Sequence, residues 1–174
     1  MNTTHTGRVW KFGDSISTDL LVPGAYVLAK SGIDPAQAAQ HCMRSNRPDW
    51  AAQVEAGDIL VAGRNFGCGS SRNGSAPLLE LGISVVLAES VARIHMRNAI
   101  NTGLPTLVCQ GISDAVEEGQ ELRVDLVTGT VTNLATGAEL SADRWPEDSP
   151  PYAILMAGGF MPYFRRRLEE AGLL

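Results

Sequence analysis

Asp58-Ile59-Leu60-Val61-Ala62-Gly63-Arg64-Asn65-Phe66-Gly67-Cys68-Gly69-Ser70-Ser71-Arg72-Asn73-Gly74-Ser75-Ala76-Pro77-Leu78-Leu79-Glu80-Leu81 is the stretch that decides how this chain folds. Ile59 to Ala62 is a short apolar run bounded by Asp58 and Gly63, the pattern of a buried strand. Leu78, Leu79 and Leu81 form a short helical pattern that Gly82 stops. Between them, Gly63, Gly67, Gly69 and Gly74 surround Ser70, Ser71 and Arg72. Glycines permit sharp turns and bare N–H groups, and a helix N-terminus adds partial positive charge. Arg72 supplies a planar fork suited to a carboxylate or phosphate. The stretch therefore reads as a place to hold an anion beside a serine hydroxyl. A Walker A loop is excluded by the missing lysine, and a dinucleotide fingerprint by Arg72 at its sixth place. A nucleophile elbow is excluded because neither Ser70 nor Ser71 has glycines two residues away on both sides. The structural alternative is a tight strand-to-helix connection with Ser71 or Ser75 as N-cap.

Upstream, Arg8 to Phe12 predicts a first strand, and Gly13 to Asp19 a polar, turn-rich loop. Leu20 to Val22 and Pro23-Gly24 precede Ala25-Tyr26-Val27-Leu28-Ala29. Asp34 as cap and Pro35 at the first position predict a helix to about Met43, ended by Asn46-Arg47-Pro48. Downstream, Ile83 to Ala88 predicts a strand. Ser90 is expected to cap a helix from Val91 to about Asn101, stopped by Gly103, with Arg93, Arg97 and Asn101 on one face. Leu104 to Cys109 reads as another buried strand. This alternation indicates an α/β unit with parallel pairing. From Glu121 the period becomes two, and Thr128-Gly129 and Thr136-Gly137 mark hairpin turns. Glu147 to Pro151 reads as a linker and Tyr152 to Ala157 as a short helix or extended segment. Gly158-Gly159 break it before a terminal helix, Met161 to Ala171.

At 174 residues the chain suits a single domain, 1–174, with the C-terminal hairpin and helix as appendages. Hydrophobic residues make up 44% and charged residues 19%, a globular balance. A formal net charge of −5 without a basic stripe argues against nucleic acid as partner. No apolar run approaches the roughly 20 residues of a membrane span. The N-terminus lacks the basic and apolar regions of a signal peptide, so a cytoplasmic location is expected. Cys42, Cys68 and Cys109 are an odd, scattered set, which disfavours disulfides and lacks the Cys-x-x-Cys pair common among cluster ligands.

Taken together, these residues resemble one family: the small subunit of isopropylmalate isomerase and related hydro-lyases, equivalent to the swivel domain of aconitase. The resemblance spans nearly the whole chain. It rests on Gly13-Asp14 with Thr18-Asp19, on Gly63 to Arg72, on Ala92-Arg93-Ile94 and on Arg97-Asn98-Ala99-Ile100-Asn101. Gly103-Leu104-Pro105, Val124-Asp125-Leu126 with Gly129, and Ala157-Gly158-Gly159 extend it. The resemblance implies an α/β fold, a swivelling β/β/α three-layer domain closing over a larger subunit. That partner would carry the 4Fe–4S cluster, with no metal on this chain. It also implies dehydration and rehydration of a 2-hydroxy diacid, with iron as Lewis acid and a base removing a proton beside a carboxylate. By the family pattern Ser70 is that base, and Arg72, assisted by Ser71, clamps a substrate carboxylate. Loop N–H groups, a helix N-terminus and Arg72 are expected to stabilise the serine alkoxide.

Two local features bear on substrate. The family usually continues Ser-Ser-Arg with Glu-His-Ala, where this chain has Asn73-Gly74-Ser75, losing a charge and an imidazole and gaining backbone freedom. In the family the loop at Tyr26-Val27-Leu28-Ala29 reaches the substrate's variable group. Homoaconitase-type loops carry arginine two residues after the tyrosine, and this chain has Leu28 there, with Val27 beside it. An alkyl-malate is therefore expected, most directly 3-isopropylmalate converted to 2-isopropylmalate in leucine biosynthesis. The alternatives are another 2-hydroxy diacid (2,3-dimethylmalate, citramalate or homoaconitate) or a non-catalytic, anion-binding regulatory subunit.

Overall fold

The computed structural model describes residues 2–24, 35–70 and 72–174, and no helix among them is long and apolar enough to cross a membrane. Strand β2 (Ile59–Ala62) is buried throughout because parallel neighbours flank it: β1 (Thr4–Lys11), aligned Val9 to Ile59, and β3 (Val85–Ala88), aligned Ile59 to Val85. Strand β4 (Thr106–Val108) adds to β3, also in parallel. The parallel α/β unit read from the sequence is thus present. Strand β1 is longer than expected, because its first half pairs antiparallel with β5 (Glu121–Asp125), Thr4 opposite Asp125. Strands β6 (Thr130–Asn133) and β7 (Glu139–Ser141) follow as the anticipated hairpins, giving the order β4-β3-β2-β1-β5-β6-β7.

Alternation along the buried strands sends side chains to two cores. Leu60, Ala62, Val86 and Ala88 face one core with Trp10, Phe12, Trp50 and Phe66. Helices α1 (Thr18–Leu21), α2 (Pro35–Gln40) and α3 (Ser75–Leu81) contribute Leu21, Ala38 and Leu78 to it. Ile59, Val61, Val85 and Leu87 face the other core, where Leu122, Val124 and Val131 of the antiparallel strands meet them, beside Ile112 of α5 (Ile112–Ala115). The sheet therefore curls until its antiparallel half covers the parallel half. After β7, Asp143 N–H donates to Val108 O of β4 at 2.7 Å, joining the two ends. This is the three-layer β/β/α arrangement.

Helix α4 (Arg93–Thr102) links β3 to β4 and ends at Gly103 in the left-handed region, φ 86°. The chain then returns through α6 (Pro150–Met156) and α7 (Phe160–Glu170). Gly103 and Gly159 mark the crossing of these helices: a Cβ on Gly103 would lie 2.5 Å from the Gly158 carbonyl. Two local expectations are corrected. Ser90 does not cap α4; its hydroxyl accepts from Asn65 N–H at 2.8 Å, and Ala92 occupies the cap position. The segment read as a linker starts α6, with Ser149 as N-cap and Pro150 in the first turn.

Candidate active site

The glycine-rich loop is held between two other segments. On one side Ser15 N–H donates to Arg64 O, Gly67 N–H to Ile16 O at 2.7 Å, and Thr18 N–H to Cys68 O at 2.8 Å. On the other side Phe66 N–H donates to Ser90 O and Ala92 N–H to Phe66 O. Asp14 fastens the start of the loop, accepting from Arg64 N–H, and the missing Cβ of Gly63 makes room for its carboxylate. Gly67 and Gly69 adopt φ of 72° and 97°, conformations that side chains rarely take. The quoted motifs Gly13-Asp14, Thr18-Asp19 and Gly63 to Ser70 are therefore one structural unit.

Ser70 is partly exposed at the end of this loop, beside the fully buried Thr18. Thr18 Oγ1 lies 3.1 Å from both the carbonyl oxygen and Oγ of Ser70. The residue reading missed this role, because Thr18 stood out only as part of a motif. Several loop amides expected to stabilise a serine alkoxide are committed elsewhere. Gly67 donates to Ile16 O, Gly74 to Arg72 O, and Ser75 to Asn73 Oδ1. Helix α3 starts at Ser75, with Gly74 rather than Ser71 or Ser75 in the cap position. Among the described residues the group set to hydrogen-bond Ser70 Oγ is Thr18.

Arg72 pairs with Asp19 through Nη1 and reaches Val22 O at 3.5 Å. Gly24 passes close over the guanidinium, where a Cβ would lie 3.1 Å from Nη2. Arg72 is therefore seated rather than loose. The Asn73-Gly74-Ser75 departure is also accommodated. Asn73 Nδ2 donates to Thr102 Oγ1 at 3.0 Å, and Ser75 Oγ is 3.5 Å from His95 Nε2. Gly74 has an ordinary φ of −74°, so it does not serve backbone freedom. Its absent Cβ admits Leu21, whose Cδ1 it would otherwise meet at 2.7 Å. Ser71, Val27 and Leu28, read as substrate-binding residues, lie outside the described residues, as do Tyr26 and the expected cap Asp34.

A cavity of about 390 Å³ opens beside the loop, lined by Gly67, Gly69, Ala92, Arg93, Ile94 and Arg97. The arginine face of α4 thus flanks the serine loop, and both arginines are exposed. A larger hollow of about 540 Å³ runs along α7 and includes neither Ser70 nor Arg72. The three cysteines do not meet: Cys42 and Cys109 are buried in different cores, and Cys68 is in the loop. Among the described residues no three His, Cys, Asp or Glu side chains gather as a metal ligand set.

The aconitase C-terminal domain family matches residues 30–111. The isopropylmalate/citramalate isomerase small subunit of Methanocaldococcus jannaschii is 47% identical over 173 residues, covering 98% of this chain and 99% of the relative. The 3-isopropylmalate dehydratase small subunit 1 of Methanopyrus kandleri is 46% identical, covering 98% of each chain. The corresponding small subunit of Aquifex aeolicus is 43% identical, covering 98% and 99%. A crystal structure of 3-isopropylmalate dehydratase from Methanocaldococcus jannaschii superposes with a TM-score of 0.89 at 34% identity, covering 97% of this chain and 98% of that one.

Proposed function

This chain belongs to the family of 3-isopropylmalate dehydratase small subunits, built on the aconitase C-terminal domain, and we propose that it supplies the base and a carboxylate clamp for an alkyl-malate dehydratase. The observation that carries the reading is Ser70 Oγ, partly exposed and 3.1 Å from buried Thr18 Oγ1, on the loop that also carries Arg72. Ser70 accepts the proton from the carbon beside the substrate carboxylate. A hydroxyl is a poor base until it is ionised, and the Thr18 hydroxyl, turned from the Ser70 carbonyl to Oγ, donates to the alkoxide and holds it until it takes the proton. Arg72 takes the carboxylate in a bidentate pair, exchanging Asp19 for the substrate. The 4Fe–4S cluster expected for the family belongs to a large subunit in this reading, because Cys42, Cys68 and Cys109 do not converge.

The substrate in this reading is 3-isopropylmalate, with Leu28 and Val27 set against its alkyl group and Ser71 assisting Arg72. Burying a branched alkyl group contributes roughly 1–3 kcal/mol to discrimination, and a carboxylate left there without a counter-charge costs at least as much. Citramalate is the specific second reading, because one relative is named for both substrates. The test is reconstitution with a cluster-bearing large subunit and turnover of 3-isopropylmalate, citramalate, 2,3-dimethylmalate and homocitrate. Ser70→Ala should lower kcat by several orders of magnitude while subunit association persists. Leu28→Arg should move preference toward the tricarboxylate. Near-normal turnover by Ser70→Ala overturns the base, and equal turnover of homocitrate by the wild type overturns the role of Leu28.

A further inference from the structure

We propose that His95 is a positioning residue for the serine loop, gripping the segment at both of its ends. The proposal rests on the catalytic reading of Ser70 and Arg72, which lie between those ends. His95, on the first turn of α4, is fully buried. Where the chain enters the loop, Phe66 meets the imidazole edge to face, with ring centroids 4.9 Å apart. The next residue, Gly67, lies flush on the same ring: a Cβ there would sit 2.2 Å from His95 Cγ. Where the chain leaves the loop, buried Ser75 places Oγ 3.5 Å from Nε2. One ring thus bridges residues that are close in space only because the loop between them is closed.

Space filling alone does not account for this residue. An apolar aromatic ring would fill the volume without the cost of desolvating two ring nitrogens. Nδ1 has no hydrogen-bond partner among the described residues, so the Ser75 hydroxyl is the polar contact that a histidine gains here. Burial pushes the imidazole down to about 4, leaving it neutral near pH 7 with one donor and one acceptor nitrogen for that contact. Ser75 itself belongs to the Asn73-Gly74-Ser75 departure, and it is the member that reaches His95.

The test uses His95→Phe, Ser75→Ala and the double variant in the full chain, with Ser70→Ala as control. Cys42 and Cys109 are buried, so the alkylation rate of Cys68 by iodoacetamide reports loop opening in the chain alone. Each single variant should alkylate faster and, with a cluster-bearing large subunit, lose about 10- to 100-fold in kcat with KM little changed, the scale of a displaced catalytic group. The double variant should be no worse than either single. Ser70→Ala should leave alkylation unchanged, so the loop readout stands even if the base assignment fails. Wild-type alkylation and kcat in Ser75→Ala, or effects that multiply in the double variant, overturn the proposal. Should His95→Phe fail to fold, Ser75→Ala decides it alone.

Discussion

Thr18 joins the loop tether to the proposed base. Its N–H donates to Cys68 O and tethers the loop, while its Oγ1 reaches the carbonyl and hydroxyl of Ser70. Thr18→Val keeps the shape and the backbone tether and deletes only the hydroxyl. With a large subunit present, kcat should fall about 100-fold, because one donor fewer holds the Ser70 alkoxide and less of it is present to take the proton. KM should barely change, because Thr18 touches Ser70 and not the substrate. Thr18→Ser should restore most of the rate. A drop in Tm with unchanged kcat would instead make Thr18 a packing residue.

At the scale of elements, the parallel unit and its hairpins were legible because periodicity and glycine stops are local signals. Gly82 and Gly103 end α3 and α4 in the left-handed region, as glycine stops do. What was not legible is non-local. The Thr18–Ser70 contact joins residues 52 apart, and Ser90 resembles a cap until Asn65 claims its hydroxyl. Strand β1 reaches back to Thr4 only because β5, far downstream, pairs with it. Ser149-Pro150 carried a local helix-start signal that the linker reading passed over. The loop glycines also do different jobs, which alanine can separate. Gly67 combines φ 72° with the His95 ring, Gly137 combines φ 74° with open space, and Gly13 has open space without a positive φ. A left-handed alanine costs about 1–2 kcal/mol. Gly137→Ala should therefore lower Tm by roughly 2–8 °C on the scale for chains of this length. Gly67→Ala should lower it further, and Gly13→Ala should be near neutral. Thermal denaturation ranks them, and equal losses at Gly67 and Gly137 would mean the ring yields.

For the whole molecule, buried titratable groups set a direction for stability against pH. His95 falls from the ordinary histidine value of about 6.5 to about 4 because burial penalises its charged form. The unfolded chain therefore takes up a proton, as pH drops through 6.5, that the folded chain refuses until about 4. Stability is complete above pH 6.5 and declines across that window, by about 3 kcal/mol if the whole difference is realised. His5, half-buried, is lowered in the same direction by burial and adds to the same decline. Asp58 acts in a lower window, which it shares with Glu89, Glu118 and Asp125, also held below their ordinary values by hydrogen bonds. Burial alone would push its carboxyl up, but hydrogen bonds from Arg8, the Glu55 N–H and Trp10 Nε1 outweigh that and hold it below its ordinary value. Its contribution is present above the usual carboxylate range and is lost as pH falls through the folded value. Acid unfolding should then show two limbs, one from pH 6.5 to 4 and one below. His95→Phe should flatten the upper limb to the residue left by His5 and spare the lower one. Arg8→Met should act on the lower limb, by removing the guanidinium that holds Asp58 charged. Chemical denaturation at stepped pH measures both slopes, whatever the variants do to absolute stability. An upper slope unchanged in His95→Phe would mean that the folded chain already accommodates a charged imidazole beneath the loop.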